Sequence, residues 1–484
     1  MVFPVTGGTQ STGYEISNSV RYNDGDNPSL SRTLGSASGE KVFSFSTWAK
    51  RSTPGGSHSN YLLYGVDGSS NSFNWYFRND ALRLYENTAG SGGAYITTNQ
   101  LFRDVSAWYH VLLVYNTNES TNTNRVKIYI NGSQIAVGDL SVTNWPDEDY
   151  TNAEVVKSGN TMKIGASGSS SEVFDGYLAE TYFIDGQALA PSDFGEFDDN
   201  GVWIPIKYTG TFGNNGMFLE YQQTGTSANA SGIGADTSGN TNHFTVTNLA
   251  ALEITEDTPT NNFATLNPLF RSNFDNDGAY SEGNVQRSFT SANSDRGYGF
   301  STFGVTSGKW YWEVLVSTVA RANTGIGDIN AVAGFSGVIY DQNPSKGFIV
   351  NYNGQIEENA TATSYASSLS DGDTVMWALD MDNHRAYYGI NGTWQDSGDP
   401  ASGSTGTGDV TTQISDQSHL NTGEAMFPFC LDASTSGQSN FKWNFGNPFH
   451  TISSGNNDGK YGNFEYAVPS GYYALCTKRL AEFG

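Results

Sequence analysis

Residues 126–135 read VKIYINGSQI, and this stretch decides the fold class. Val126, Ile128 and Ile130 alternate with Lys127 and Tyr129, the Asn131-Gly132 pair follows, and Ile135 resumes the apolar pattern. An Asn-Gly pair between alternating arms is a strong short-range hairpin signal, because a type I′ turn needs positive φ at both central residues. Asn391-Gly392 repeats the device between AYYGI and TWQ. Around the first hairpin lie KVFSFSTWAKRS, NYLLYGV, SFNWYFRN, ALRLYEN, AWYHVLLVYN, TMKIGAS and GYLAETYFIDG; around the second lie GKWYWEVLVS, KGFIVNYNG, DTVMWALDMDN, MFPFCLDAS and FKWNFGNPF. Short runs rich in aromatic and β-branched residues, bounded by Gly, Asn, Ser or Asp, are the signature of strands in a sandwich.

Composition agrees. Aromatic residues make up 13% and charged residues 15% of the 484, and Gly alone supplies 56, which is strand-and-turn usage. Only Asp193–Phe197 and Cys476–Phe483 read as short helices. The expectation is therefore an all-β chain of two antiparallel β-sandwich domains, residues 1–205 and 268–484. Residues 206–267 read as a Gly/Ser/Thr/Asn-rich connector, in which GMFLEY and HFTVTNL can each add a strand. The polar stretch SGDPASGSTGTGDVTTQ (397–413) reads as a long loop, functional or mobile.

A net charge of −25 with no basic cluster repels a phosphate backbone, which sets nucleic-acid binding aside. No run of about 18 apolar residues and no basic leader followed by an apolar stretch occurs, so neither a membrane span nor a secretion signal is expected. Cys430 and Cys476, flanked by FPFCLD and YALCTK, read as reduced core thiols. The six histidines show no metal-ligand spacing, and His110 reads as a structural strand residue. There is no nucleophile elbow and no phosphate-binding loop with its Lys. Aromatics in loops offer a flat apolar face with a polar edge, so Trp145 (TNWPDEDY), Tyr340 (VIYDQNP) and Trp394 (NGTWQDS) are the candidate binding residues. Trp48, Trp108, Trp310, Trp312 and Trp443 fall in strand patterns and are assigned to the core.

FSFSTWAKRS, then AWYHVLLVYNTNESTNTNRVKIYINGSQI, MKIGAS and FDGYLAETYFIDGQALAPSDF, resemble the successive strands of a laminin-G-like, concanavalin A-like jelly roll over residues 14–200. SGKWYWEV, GDTVMWALDMDNHRAYYGINGTW and FKWNFGNPF resemble a SPRY domain over residues 268–450, in which the segment carrying Asp380 and Asp382 is structural. The combination, with SLSRT, GVWIPIKYTGTFG, DTPTNNFATLNPL and PSGYYALCTKRL, is similar to tandem lectin-like and SPRY-like structural proteins of marine bacteriophages.

That resemblance implies a non-enzymatic virion surface protein: a tail fibre, spike or capsid appendage made in the host cytoplasm. It would bind a host-surface glycan or protein receptor through sandwich loops, sit against other phage structural proteins, and assemble as a homo-oligomer without entering a membrane. The alternative is an architectural capsid decoration that binds no host. A glucan-degrading enzyme is the third reading, because concanavalin A-like folds include glucanases. Their paired carboxylates sit at an even offset on one strand face, whereas Glu172, Asp175 and Glu180 stand three and five apart and need a bulge or turn to converge. Laminin-G-like domains also imply Ca2+ as the cofactor, for which Asp24, Asp26, Asp147 and Asp149 lie in acidic loops of suitable oxygen chemistry.

Overall fold

The computed structural model describes residues 13–484 except 69–70, 88–91, 152, 169–171, 271–277, 290–296, 329–346, 359–360, 414–419, 422 and 433–436. The chain divides into two compact units at Thr260/Asn261.

The first unit packs two eight-stranded sheets face to face. One runs, in spatial order, Ser133–Gln134, Val126–Ile130, Trp108–Asn116, Val42–Arg51, Gly176–Asp185, Ser19–Tyr22 and Ile254–Thr255, with Met217–Leu219 also on Gly176–Asp185. The other runs Leu140–Asn144, Tyr95–Leu101, Ala81–Asn87, Ser72–Arg78, Asn60–Val66, Thr161–Ile164, Ser29–Thr33 and Thr245–Thr247. Strand alternation turns Phe43, Phe45, Phe73, Trp75, Leu82, Leu84, Ile96, Val111 and Leu113 into one core between the sheets. The Asn131-Gly132 turn forms as expected, with φ of 47° and 78°, and Ile130 pairs with Ser133 across it.

The expected connector is instead part of this unit. Three strands of residues 206–260 extend its sheets, and Phe218, Tyr221, Ile233, Phe244 and Leu249 are buried. The polar composition marks dense turns held by side chains: the Asp236 carboxylate accepts from the backbone N–H of Phe218, Ser238 and Asn242 at 2.8–2.9 Å. One boundary at 260/261 therefore replaces those at 205/206 and 267/268. Asp193–Phe197 is no helix either; a single 3-10 turn at Pro191–Asp193 leads into the strand Gly195–Phe197, which pairs with Trp203–Pro205.

The second unit is also a sandwich. One sheet orders Ala279–Ser281, Gln286–Ser288, Asn440–Asn444, Lys309–Thr318, Asp373–Asp380, Arg385–Ile390 and Thr393–Trp394, with Tyr473–Ala474 parallel to Lys309–Thr318. The other orders Gly297–Phe300, Met426–Asp432, Ala322–Asp328, Gly347–Val350, Gln355–Glu358 and Thr361–Ser364. Trp310, Trp312, Trp377 and Trp443 are buried in its core. Asn391 and Gly392 form the second hairpin turn at φ 48° and 82°. Cys430 and Cys476 are buried and not joined in a disulfide, and burial pushes the Cys476 thiol up to about 12. Cys476 precedes the C-terminal helix Thr477–Phe483, whose Arg479 forks onto Asp458 at 2.8 and 2.9 Å. Lys309 pairs with the buried Asp380 at 2.7 Å, and Asp382 accepts from the Gly308 N–H, so both carboxylates are structural. Residues 397–413 wind through short 3-10 turns, tied down where Arg385 meets the buried Asp409 at 3.0 Å and where the Tyr365 and Tyr472 hydroxyls donate to the Gly408 and Pro400 carbonyls.

Candidate functional site

The three carboxylates considered for glucan hydrolysis occupy separate surroundings. Glu172 accepts from the Ser59 hydroxyl at 3.3 Å. Asp175 ends the preceding loop, is buried, and accepts from the Thr53 hydroxyl. Glu180 sits in a bulge of Gly176–Asp185 at φ 41°, where the register slips between Ala179 and Tyr182, and it accepts from the Tyr14 and Tyr182 hydroxyls. A bulge does intervene, as convergence would require, but it buries Glu180 in its own tyrosine contacts.

Burial lifts both Asp175 and Glu180 to about 7, and does the same to Glu86, despite a 2.7 Å hydrogen bond to Glu86 from the Ala94 N–H. At Asp175 the neighbouring Asp24 carboxylate adds to the rise. A carboxyl raised on folding contributes stability that is fully present below its unfolded pKa near 4, is lost as pH climbs to about 7, and is flat above. Glu86→Gln is accordingly expected to stabilise the first unit at pH 8, on the order of 3 kcal/mol, and to leave it unchanged at pH 4. Urea melts at the two pH values measure this; an equal effect at both excludes the titration.

The acidic loops do not gather into a calcium cage. Asp24 and Asp26 open a 3-10 turn in which Asp26 accepts from the Asn23 amide at 2.8 Å, while Asp24 lies 4.0 Å from His58 Nε2. Asp149 pairs with Lys41 at 2.8 Å, Glu148 with Arg125 at 3.3 Å, and Asp147 is exposed. Among the described residues no three His, Cys, Asp or Glu side chains are grouped to hold a metal ion. A site for Ca2+ needs six to eight oxygens, and single aspartates tied to cations or amides do not supply them.

The loop aromatics are packing residues more than platforms. Trp145 is half-buried against the main core, and the following Pro146 is anchored through its carbonyl by Arg125 at 3.0 Å. Trp394 is half-buried with its ring edge-on to Tyr311, centroids 6.4 Å apart. Tyr340 lies outside the described residues. His110 is buried as a strand residue, with Nε2 2.8 Å from the Ser46 hydroxyl. Burial lowers its ring to about 3 and so holds it neutral, and Ser46 is sealed beside it, so this hydroxyl–imidazole pair cannot meet a substrate.

What the fold does assemble is a tyrosine-bearing outer face on the second sheet. Period-2 alternation sends Trp75, Leu84 and Ile96 inward and Tyr76, Tyr85 and Tyr95 outward. Tyr61 stacks on its cross-strand partner Tyr76 at 4.9 Å, and Tyr64 meets Tyr61 edge-on at 5.8 Å. Tyr85 and Tyr95 are direct cross-strand partners, edge-to-face at 5.2 Å and each 37% exposed. Asn74, whose side chain donates to the Tyr85 carbonyl at 2.8 Å, and the half-buried Arg83, Thr97 and Lys163 share the outward parity. Loop reasoning misses this face; the outward parity of tyrosine in SFNWYFRN, ALRLYEN and AYITTN is the signal that carries it.

Comparison with solved structures finds likenesses that each span a little over a third of the chain. One is the stonustoxin structure, at 21% identity over 37% of this chain and 27% of that one, TM-score 0.27. The SPRY domain of human HERC1 matches at 16% identity over 37% and 96%, TM-score 0.26. The native heptameric SAP-like pentraxin from Limulus polyphemus matches at 19% identity over 38% and 76%, TM-score 0.24. No curated protein matches the chain. Residues 24–193, all within the first sandwich, match the family described as the Concanavalin A-like lectin/glucanases superfamily.

Proposed function

We propose that this protein is a non-catalytic surface component of a bacteriophage particle, and that it binds a glycan of the host surface through the outer face of the second sheet in its first unit. The observation that carries the reading is the exposed Tyr85–Tyr95 pair. Its rings offer apolar surface for the C–H face of a sugar, and the neighbouring half-buried Thr97 and Arg83 offer hydrogen bonds to hydroxyls. Trp145 and Trp394 are half-buried in packing contacts, which moves the expected contact from loop tips to this sheet face. The phage setting rests on the sequence resemblance, and the −25 net charge supports a partner other than nucleic acid. In a multi-copy array, weak single contacts sum to strong attachment.

The test is to locate the chain on particles by cryo-electron microscopy and to compete adsorption with the purified protein. Parent protein is expected to block adsorption, and Tyr85→Ala/Tyr95→Ala to block at least tenfold less while melting normally. A capsid location with no competition leaves a decoration protein and removes the receptor role; release of reducing sugar from host glycan replaces binding with hydrolysis.

A further inference from the structure

At the edge of the first sandwich, the end of strand Tyr95–Leu101 and the Asn131-Gly132 hairpin border a groove of about 600 Å³, within the range of about 300–1,000 Å³ usual for small-ligand sites. Its polar lining is Asn99, Gln100, Asn131, Ser133, Gln134 and Asp139, with Ile130 and Ile135 as apolar surface. Asn131 is held in place: its φ is 47° and its Oδ1 accepts from the His110 N–H at 2.8 Å. Among the described residues the side chains of Asn99, Gln100, Ser133, Gln134 and Asp139 have no hydrogen-bond or ion-pair partner, so their bonding capacity faces water.

The lining selects a ligand by chemistry. Amides and a hydroxyl both donate and accept, as sugar hydroxyls do. No Lys or Arg lines the groove, and one carboxylate on a chain of charge −25 disfavours an anion. A lone carboxylate also falls short of the oxygen set a divalent cation needs. The isoleucines suit the apolar face of a sugar ring.

We infer that this groove is a second binding site, distinct from the tyrosine face, for a neutral, hydroxyl-rich ligand of the oligosaccharide class. Ligand hydroxyls replace the water on the six polar side chains, and Asn131, pinned by the turn, is the pre-positioned member.

The experiment titrates the full chain with maltohexaose, laminarihexaose and cellohexaose as neutral probes and with hexagalacturonate as the acidic one, following backbone amide resonances of Ser133 and Ile135. At least one neutral probe is expected to shift these resonances. Asn99→Ala/Gln134→Ala, at exposed side chains without internal partners, is expected to weaken that response tenfold or more, and Tyr85→Ala/Tyr95→Ala to leave it intact. Groove resonances unmoved by every neutral probe, or moved equally by hexagalacturonate, overturn the site. Binding lost only in the tyrosine variant removes the groove and leaves the tyrosine face standing; binding lost only in the groove variant supports the groove and leaves the tyrosine face to the adsorption test.

Discussion

Asp257→Ala is expected to destabilise the first unit by about 3–5 kcal/mol, the usual cost of stranding one member of a buried ion pair. Asp257 is fully buried; its carboxylate takes the Lys50 ammonium at 2.9 Å and the Trp108 indole N–H at 3.3 Å. Burial already lowers the Lys50 pKa, and Asp257 is the largest influence holding it up. Without it, Lys50 must shed its proton or draw water in among Trp108 and Tyr177, whose ring lies 5.3 Å from the ammonium. Lys50→Met/Asp257→Leu, which removes both charges at similar volume, is expected to recover the loss, since apolar replacement of a buried pair is often neutral or stabilising. Denaturant melts of the two variants decide the matter. A single-variant loss under about 1 kcal/mol, well below the range for a stranded buried charge, would mean that residues 206–260 are not welded into this unit.

The second large effect is expected at Glu313, on the strand Lys309–Thr318 in the interior of one sheet of the other unit. It is fully buried and gathers four donors: the Tyr311 hydroxyl at 2.8 Å, the Asn444 amide at 3.2 Å, and the backbone N–H groups of Glu465 and Tyr466 at 2.9 and 2.8 Å. Burial raises its pKa, against the pull of those donors. One carboxylate thus ties the C-terminal segment to the core strand Lys309–Thr318. Glu313→Ala leaves several donors unsatisfied, at about 1–3 kcal/mol each before relaxation, and is expected to cost about 4 kcal/mol in all. Glu313→Gln, which keeps an acceptor but sets an NH2 against donors, is expected to fall between parent and Ala. Amide exchange at Glu465 and Tyr466 reads the effect locally; protection there unchanged in the Ala variant would sink the assignment.

Both effects sit where local sequence patterns were least informative. Asp257 lies in EDTPTNN, which by composition reads as linker, and its partner is 207 residues away. Glu313 stands inside KWYWEVLV on the face opposite Trp310 and Trp312, where alternation predicts exposure and cannot say that four donors wait there. The candidate site divided the same way. Loop aromatics were easy to find and proved half-buried, because a large ring in a loop usually packs down on the nearest core. Tyr85 lies in ALRLYEN, which reads as a strand, whereas the run holding Tyr95 is not singled out, and that the two are neighbours in register depends on how the strands pair.

What the residues settle unaided is local: strand character from alternation, the two Asn-Gly turns, the buried tryptophans, and hence an all-β chain. Turn geometry and side-chain parity are properties of a few consecutive residues, so they survive reading in one dimension. What tertiary structure alone decided is membership and adjacency: that residues 206–260 complete the first sandwich, that a bulge carries Glu180 into tyrosine contacts, and that strand and hairpin meet at an amide-lined groove. Those outcomes come from pairings between residues far apart in the chain, whose free energy depends on which surfaces meet and not on any short stretch of sequence.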